Sequence, residues 1–227
     1  MDCELSLLIF VPCFLGAAAK KAMLSLSLVG IAAALVPTPP PNVPIAVERV
    51  RSLVAGGAAR SDSKLASAVK DLVAESTTAP ASVNWPRVSG TWRVVNAPHI
   101  DTLSSVFFTK FSPIEYVLTG EGGITSYVRY SGLPGDGWLC TDGTIANEPT
   151  PAGEFPSVKI MWDRIWWAPS ASDTPPAYEE GTLGPLVQAL GRAGFVEGLS
   201  VFPVRFVGDD VAVFNFQSFT VTAQRQA

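Results

Sequence analysis

A single histidine limits the acid–base chemistry that this chain can perform. His99 follows Ala97-Pro98 in a predicted loop, and Asp101 lies two residues further on. A nucleophilic triad needs an activated serine or cysteine beside a base and an orienting acid, and the sequence contains no Gly-x-Ser-x-Gly elbow to supply one. We therefore interpret His99 as a surface residue, and we predict that the protein is not an enzyme.

Paired carboxylates and a lone cysteine are the other groups that catalysis or metal binding would use. Asp209-Asp210 stands between two predicted strands, where a turn favours aspartate for conformational reasons. Cys140 is the single cysteine beyond residue 44, so neither a disulfide framework nor a cysteine zinc site can form there. It lies in a predicted strand, which favours a buried thiol. We predict no metal site and no cofactor.

The overall charge argues against nucleic acid as a partner. The chain carries 16 Lys and Arg against 20 Asp and Glu, a net charge of −4. No more than two basic residues are adjacent, so the sequence shows no basic patch. The glycine-rich stretch 120–123 lacks the lysine of a phosphate-binding loop.

The first 36 residues have the composition of a targeting leader. Two apolar runs, 5–19 and 22–36, flank Lys20-Lys21, and each is shorter than the ~20 residues that span a bilayer. The basic pair, the second run and the alanines at 32–34 fit the three regions of a cleaved signal peptide. Met23 is an alternative start, and a retained membrane anchor is the alternative interpretation.

A proline-rich spacer at 36–44 follows this leader. Between Pro37 and Ala59 there is a single acidic residue, Glu48, beside two arginines. A signal peptide followed by an acid-poor basic segment suggests a two-part plastid transit peptide, which implies a plastid (chloroplast) location. An extracellular or endomembrane destination stays open.

Two helices are predicted between the spacer and the body of the chain. The first covers Ile45–Val54 and stops at Gly56-Gly57. The second covers Ser63–Glu75, where Ser61 or Asp62 caps its start and apolar residues form one face: Leu65, Val69, Leu72 and Val73. We therefore divide the chain into leader and spacer (1–44), helical lead-in (45–80) and β domain (81–227).

The β domain opens on Gly90-x-Trp92, which is typical of the first strand of a ligand-holding barrel. Alternating apolar residues and Gly, Pro or Asp turns then predict about eight strands, near the number at which a barrel holds one small ligand. One short helix is expected at 183–190, after a loop at 168–181. The predicted class is mainly β: an antiparallel lipocalin-like barrel with two N-terminal helices and one short helix before the last strands.

Aromatic content makes apolar binding the leading interpretation of this domain. Six Trp, twelve Phe and four Tyr supply a large apolar surface. The candidate ligand-binding residues are those whose alternation points inward: Trp92, Val94, Tyr116, Val128, Tyr130, Ile160, Trp162, Val204, Phe206 and Val213. Whether these residues line a cavity or fill a packed core stays open.

Two further aromatic features lead to expectations about the surface and the barrel end. Trp166-Trp167 suits a membrane interface, and burial under the following loop is the alternative. The last strand should pair with the first, which places Arg225 near Trp92. We expect its guanidinium either to stack on the indole or to be frayed and solvated.

The order of these parts resembles that of the plastid lipid-associated proteins, or fibrillins. The resemblance covers roughly 45–225 and rests on the helical lead-in, on SGTWRVVN at 89–96 and on FVGDDVAV at 206–213. Asn215, Phe216 and Gln217 depart from the Arg and Gly often found after the acidic turn, and the Trp-rich stretch 161–167 has no counterpart that can be aligned.

The resemblance implies a lipocalin-like fold and the non-enzymatic binding of apolar plastid lipids of the isoprenoid, carotenoid or prenylquinone type. It also implies association with plastoglobules or with the thylakoid membrane surface. Two alternatives remain: a small lipocalin-like enzyme acting on an apolar substrate, and a structural or assembly factor whose barrel binds protein.

Overall fold

The computed structural model describes residues 43–76, 82–106, 108–132, 135–151, 154–169, 172–178, 200–216 and 218–226. All of them belong to one compact unit, 39–227. The predicted leader, most of the proline-rich spacer and the expected helix at 183–190 lie outside the described residues.

Eight antiparallel strands of the described residues form a closed, ring-like sheet, in which each strand pairs with the next and the last pairs with the first. This confirms the predicted mainly β, barrel-like class. The strands are β1 (Gly90–Asn96), β2 (Thr109–Leu118), β3 (Gly123–Gly132), β4 (Gly135–Glu148), β5 (Ser157–Pro169), β6 (Val201–Val207), β7 (Val211–Phe216) and β8 (Phe219–Arg225).

β4 and β5 are longer than the sequence predicted. The sequence Pro-Gly-Asp-Gly at 134–137 predicts a turn, with the next strand from Gly137 to Ile145. Gly135 and Asp136 instead belong to β4, because the ladder with β3 continues to the pair Gly132 and Gly135. Trp166 and Trp167, expected at the edge of a loop, belong to β5 and pair with Cys140 and Leu139.

The start of β1 is built as the Gly-x-Trp pattern predicts. Gly90 has a φ of +127°, and a Cβ there would lie 3.0 Å from Nε of Arg225, so glycine suits this position on two grounds. Trp92 is 3% exposed and donates from its indole nitrogen to the carbonyl of Val88 at 2.7 Å. We call this end of the sheet, where β1 begins and β8 ends, the cavity end.

The two predicted N-terminal helices are present as α1 (Val43–Ala55) and α2 (Ser63–Glu75), and Asp62 caps α2. Their apolar stripes pack on the outer face of β7, where they form one buried cluster with Val211 and Val213. Arg51 of α1 also reaches the β6–β7 turn and makes a two-pronged ion pair with Asp210.

Two further helices were not predicted: α3 (Trp85–Val88) and α4 (Pro98–Val106). The prediction that His99 lies in a loop is wrong, because His99 is in the first turn of α4. Pro98 opens that helix, where its fixed φ and missing N–H cost nothing.

Arg225 lies beside Trp92 in the β1–β8 ladder, as predicted. Its guanidinium does not stack on that indole; it donates instead to the carbonyls of Arg87 and Ser89. One carbonyl belongs to the last turn of α3 and the other to Ser89, the residue that caps it, and the planar guanidinium can donate to both.

Replacing Arg225 by alanine is expected to lower the free energy of unfolding by about 1–2 kcal/mol, because two charge-assisted hydrogen bonds are lost from a partly exposed group. Arg225→Lys should restore only part of this, since an ammonium is a compact point charge without the planar fork. Thermal unfolding of the three proteins side by side measures both effects. Equal melting temperatures would show that these bonds contribute nothing.

Candidate ligand-binding cavity

An apolar cavity of about 130 Å³ lies inside the closed sheet at the cavity end. Six of the ten residues proposed from the sequence border it: Trp92, Tyr116, Ile160, Trp162, Val204 and Val213. The side chain of Val213 packs in the cluster formed with α1 and α2, so Val213 borders the cavity without pointing into it. The remaining wall comes from residues that the sequence analysis did not select: Val83, Trp85, Val88, Leu118, Ile124, Ile145, Val158, Phe202, Val207, Ala212, Phe214 and Ala223. None of these side chains is charged.

The segment leading into β1 closes the cavity end. Val83, Trp85 and Val88 belong to it and contribute to the cavity wall. Asn147 of β4 holds the segment with two hydrogen bonds to the main chain of Val83, at 2.8 and 3.0 Å. Arg87 adds an ion pair of 2.7 Å with Asp209. We call residues 83–89 the closing segment.

The other half of the interior is a packed core. Val94, Ala97, Ile114 and Val221 form its buried centre, and Val128 packs against them. The interior therefore combines the two arrangements that the sequence left open, with a cavity on one side and a filled core on the other. Val94 and Val128, proposed as ligand-binding residues, lie in the filled half.

Two other proposed residues contact neither the cavity nor this core. Tyr130 is buried, packs edge-on against Trp167 with ring centroids 5.0 Å apart, and accepts a hydrogen bond from its indole nitrogen. Phe206 packs instead against the cluster formed by α1, α2 and β7. A register irregularity between Val204 and Phe206 breaks the alternation on which its assignment rested.

Tyr116 stands at the boundary between the cavity and the filled half, and packs against both. Burial raises its pKa to about 12, so the phenol stays protonated at neutral pH. No partner for its hydroxyl is found within the described part of the chain.

His99 lies away from the cavity wall. Its ring stacks on Phe219 with centroids 4.6 Å apart, and its Nδ1 is buried without a hydrogen-bond partner in the described ranges. Burial first, and then the charge of Arg60, lower the pKa of His99. A reaction inside the cavity would need a different base.

In the Trp-rich part of β5, Trp166 is partly covered and Trp167 is partly exposed to solvent. Trp166 packs edge-on against Tyr178, with centroids 5.6 Å apart, and Tyr178 also lies under the guanidinium of Arg164. Trp167 is 42% exposed. The segment that follows β5 therefore covers part of Trp166, whereas part of the Trp167 side chain is exposed to solvent.

The described residues show neither a cluster of metal ligands nor a helix that could cross a membrane. No group of three or more His, Cys, Asp or Glu side chains is gathered there as a metal site would require. None of the described helices combines the length and the hydropathy that crossing a bilayer requires.

Comparison with known proteins identifies no relative. No protein-family model, no curated protein and no solved structure matches this chain.

Proposed function

We propose that the interior of the closed sheet binds an apolar lipid of the isoprenoid, carotenoid or prenylquinone type, without catalysis. The observation that carries this proposal is the cavity of about 130 Å³ with its uncharged, largely aliphatic and aromatic wall. Apolar ligands gain binding free energy by leaving water for such a wall.

The volume of the cavity limits how much of a ligand is enclosed. An apolar cavity of about 150 Å³ holds one benzene molecule, so a cavity of about 130 Å³ encloses one ring or the end of a branched chain. A longer lipid therefore binds by one end, and the rest of the bound molecule extends out of the cavity beside the closing segment.

The proposed setting follows from the resemblance to the plastid lipid-associated proteins. On that basis we propose a plastid location, at plastoglobules or at the thylakoid membrane surface. Trp167, with its exposed indole, is a suitable contact for such a surface, because indole rings favour the boundary between apolar and aqueous phases.

Filling the cavity is the most direct test of binding. Ala223 is 3% exposed and lines the cavity. Ala223→Leu therefore adds three carbon atoms to a cavity that has room for only a small part of a ligand. We expect the affinity for β-ionone, a carotenoid ring with a short chain, to fall at least tenfold, because ~0.8 kcal/mol is lost for each methylene that no longer fits. Quenching of tryptophan emission reports the binding, since three indoles line the cavity.

The matched control is Ala146→Leu, which makes the same change at an exposed position of β4. Its affinity should equal that of the parent. Equal affinities for all three proteins would rule out the cavity as the binding site. Solvent extraction of the protein from its native source then distinguishes the alternatives: a bound isoprenoid supports the proposal, turnover indicates an enzyme, and an empty protein favours a protein-binding factor.

A further inference from the structure

The hydroxyl of Tyr116 has no hydrogen-bond partner among the described residues, and the side chains around it are apolar. Buried tyrosines usually donate their O–H to another group, since an unpaired buried hydroxyl costs free energy. Tyr116 makes no hydrogen bond within the described ranges, and its ring is enclosed by the strands around it. The accessible surface that it retains therefore faces the cavity that it lines.

The neighbours of Tyr116 in the sheet leave this hydroxyl available. Trp92 is its partner on β1, and the single N–H of that indole is already donated to Val88. Ser126 is its partner on β3 and is buried on the same inward face. Directly opposed residues have Cβ atoms ~4.5–5.5 Å apart, so two hydroxyl-bearing side chains stand next to each other at this level.

We propose that the Tyr116 hydroxyl makes the cavity selective for neutral ligands that carry one hydrogen-bonding oxygen, a carbonyl or a hydroxyl, on an otherwise apolar skeleton. This inference rests on the proposed lipid-binding function and specifies the class of ligand. A protonated phenol donates to a carbonyl or accepts from an alcohol. A carboxylate is disfavoured, because the described residues of the cavity wall include no cationic side chain to pair with it.

Two probes of the same size separate the hydrogen bond from the apolar contact. Cyclohexanone and methylcyclohexane each have seven heavy atoms. The first carries a carbonyl oxygen on its ring, and the second carries a methyl group in the same place. With Tyr116→Phe, the ring and its packing remain and only the hydroxyl is lost. We expect cyclohexanone to bind about five- to tenfold more weakly to this variant, and methylcyclohexane to bind equally well or better. Isothermal titration calorimetry measures both affinities.

Tyr127→Phe is the matched control, because Tyr127 is adjacent to Ser126 on β3 and points to the opposite face of the sheet. It should leave both affinities unchanged. The melting temperature of Tyr116→Phe should equal or exceed that of the parent, since the lost hydroxyl has no partner among the residues that the structure describes. A clear drop would show that it has one, and would overturn the inference.

The remaining outcomes distinguish this inference from the function on which it rests. If methylcyclohexane binds and Tyr116→Phe binds cyclohexanone as tightly as the parent does, the proposed selectivity is overturned. The proposed apolar binding site is then still supported. If neither probe binds the parent protein, both the proposed function and the selectivity fail.

Discussion

Replacing Trp92 by alanine is expected to lower the free energy of unfolding by about 3–5 kcal/mol, which is the range for removing a large buried aromatic side chain. Trp92 is 3% exposed and lies in the buried cluster that joins the closing segment to the strands of the cavity end. Its loss enlarges a cavity that already exists, so little relaxation can offset the lost contacts. It also removes the donor that pairs with the carbonyl of Val88.

Thermal unfolding should show this as a drop of roughly 6–20 °C for a chain of this length. Trp167→Ala is the matched control, because the same side chain is there 42% exposed, and its cost should be about 1 kcal/mol. Similar drops for the two variants would contradict the assignment of Trp92 to the interior.

Alkaline pH is expected to destabilise the fold, because the buried thiol of Cys140 and the buried phenol of Tyr116 resist losing their protons. Burial raises the pKa of Cys140 from 9.0 to about 12 and that of Tyr116 from 10.0 to about 12. As the pH rises past 9, the unfolded chain releases these protons before the folded chain does. Their contribution to stability is therefore complete below about pH 9 and is lost as the pH rises toward 12. At pH 11 the loss amounts to ~3 kcal/mol from Cys140 and ~1 kcal/mol from Tyr116.

Urea unfolding at pH 7 and pH 11 measures this loss directly. The free energy of unfolding should fall less between pH 7 and pH 11 in a Cys140→Ala, Tyr116→Phe double variant than in the parent. The two losses should differ by ~4 kcal/mol. The comparison is made within each protein, so the cost of the substitutions themselves cancels. A double variant that loses as much stability as the parent between pH 7 and 11 would show that neither group is responsible.

Alternation and caps were sufficient to predict the closed sheet and the two N-terminal helices. α2 matches its predicted bounds because its apolar residues repeat at helical spacing and Asp62 is a strong cap. The turn predicted at 134–137 was wrong at Gly135 and Asp136, because Gly and Asp residues indicate a turn only where no partner strand continues beside them. β3 does continue beside them, and tertiary pairing overrides local preference.

The cavity was harder to predict than the sheet that surrounds it. Aromatic and aliphatic residues fill cores and line pockets alike, so composition cannot distinguish the two. Phe206 was misplaced because a single irregularity in β6 changes the side of the sheet to which a residue points. The closing segment was missed because the four residues of α3 are too few to show a periodicity, although the cap Asn84 and Pro86 near the helix start were visible signals.

The contact between the N-terminal helices and β7 also determines when the chain can finish folding during synthesis. Arg51 and Asp210 are separated by 159 positions, and Val211 and Val213 complete the cluster that covers the apolar stripes of α1 and α2. At ~5–20 residues per second, a ribosome needs on the order of ten seconds to make the intervening chain. The helices are made before β7, so the part of their apolar surface that Val211 and Val213 cover stays exposed on the nascent chain throughout that interval.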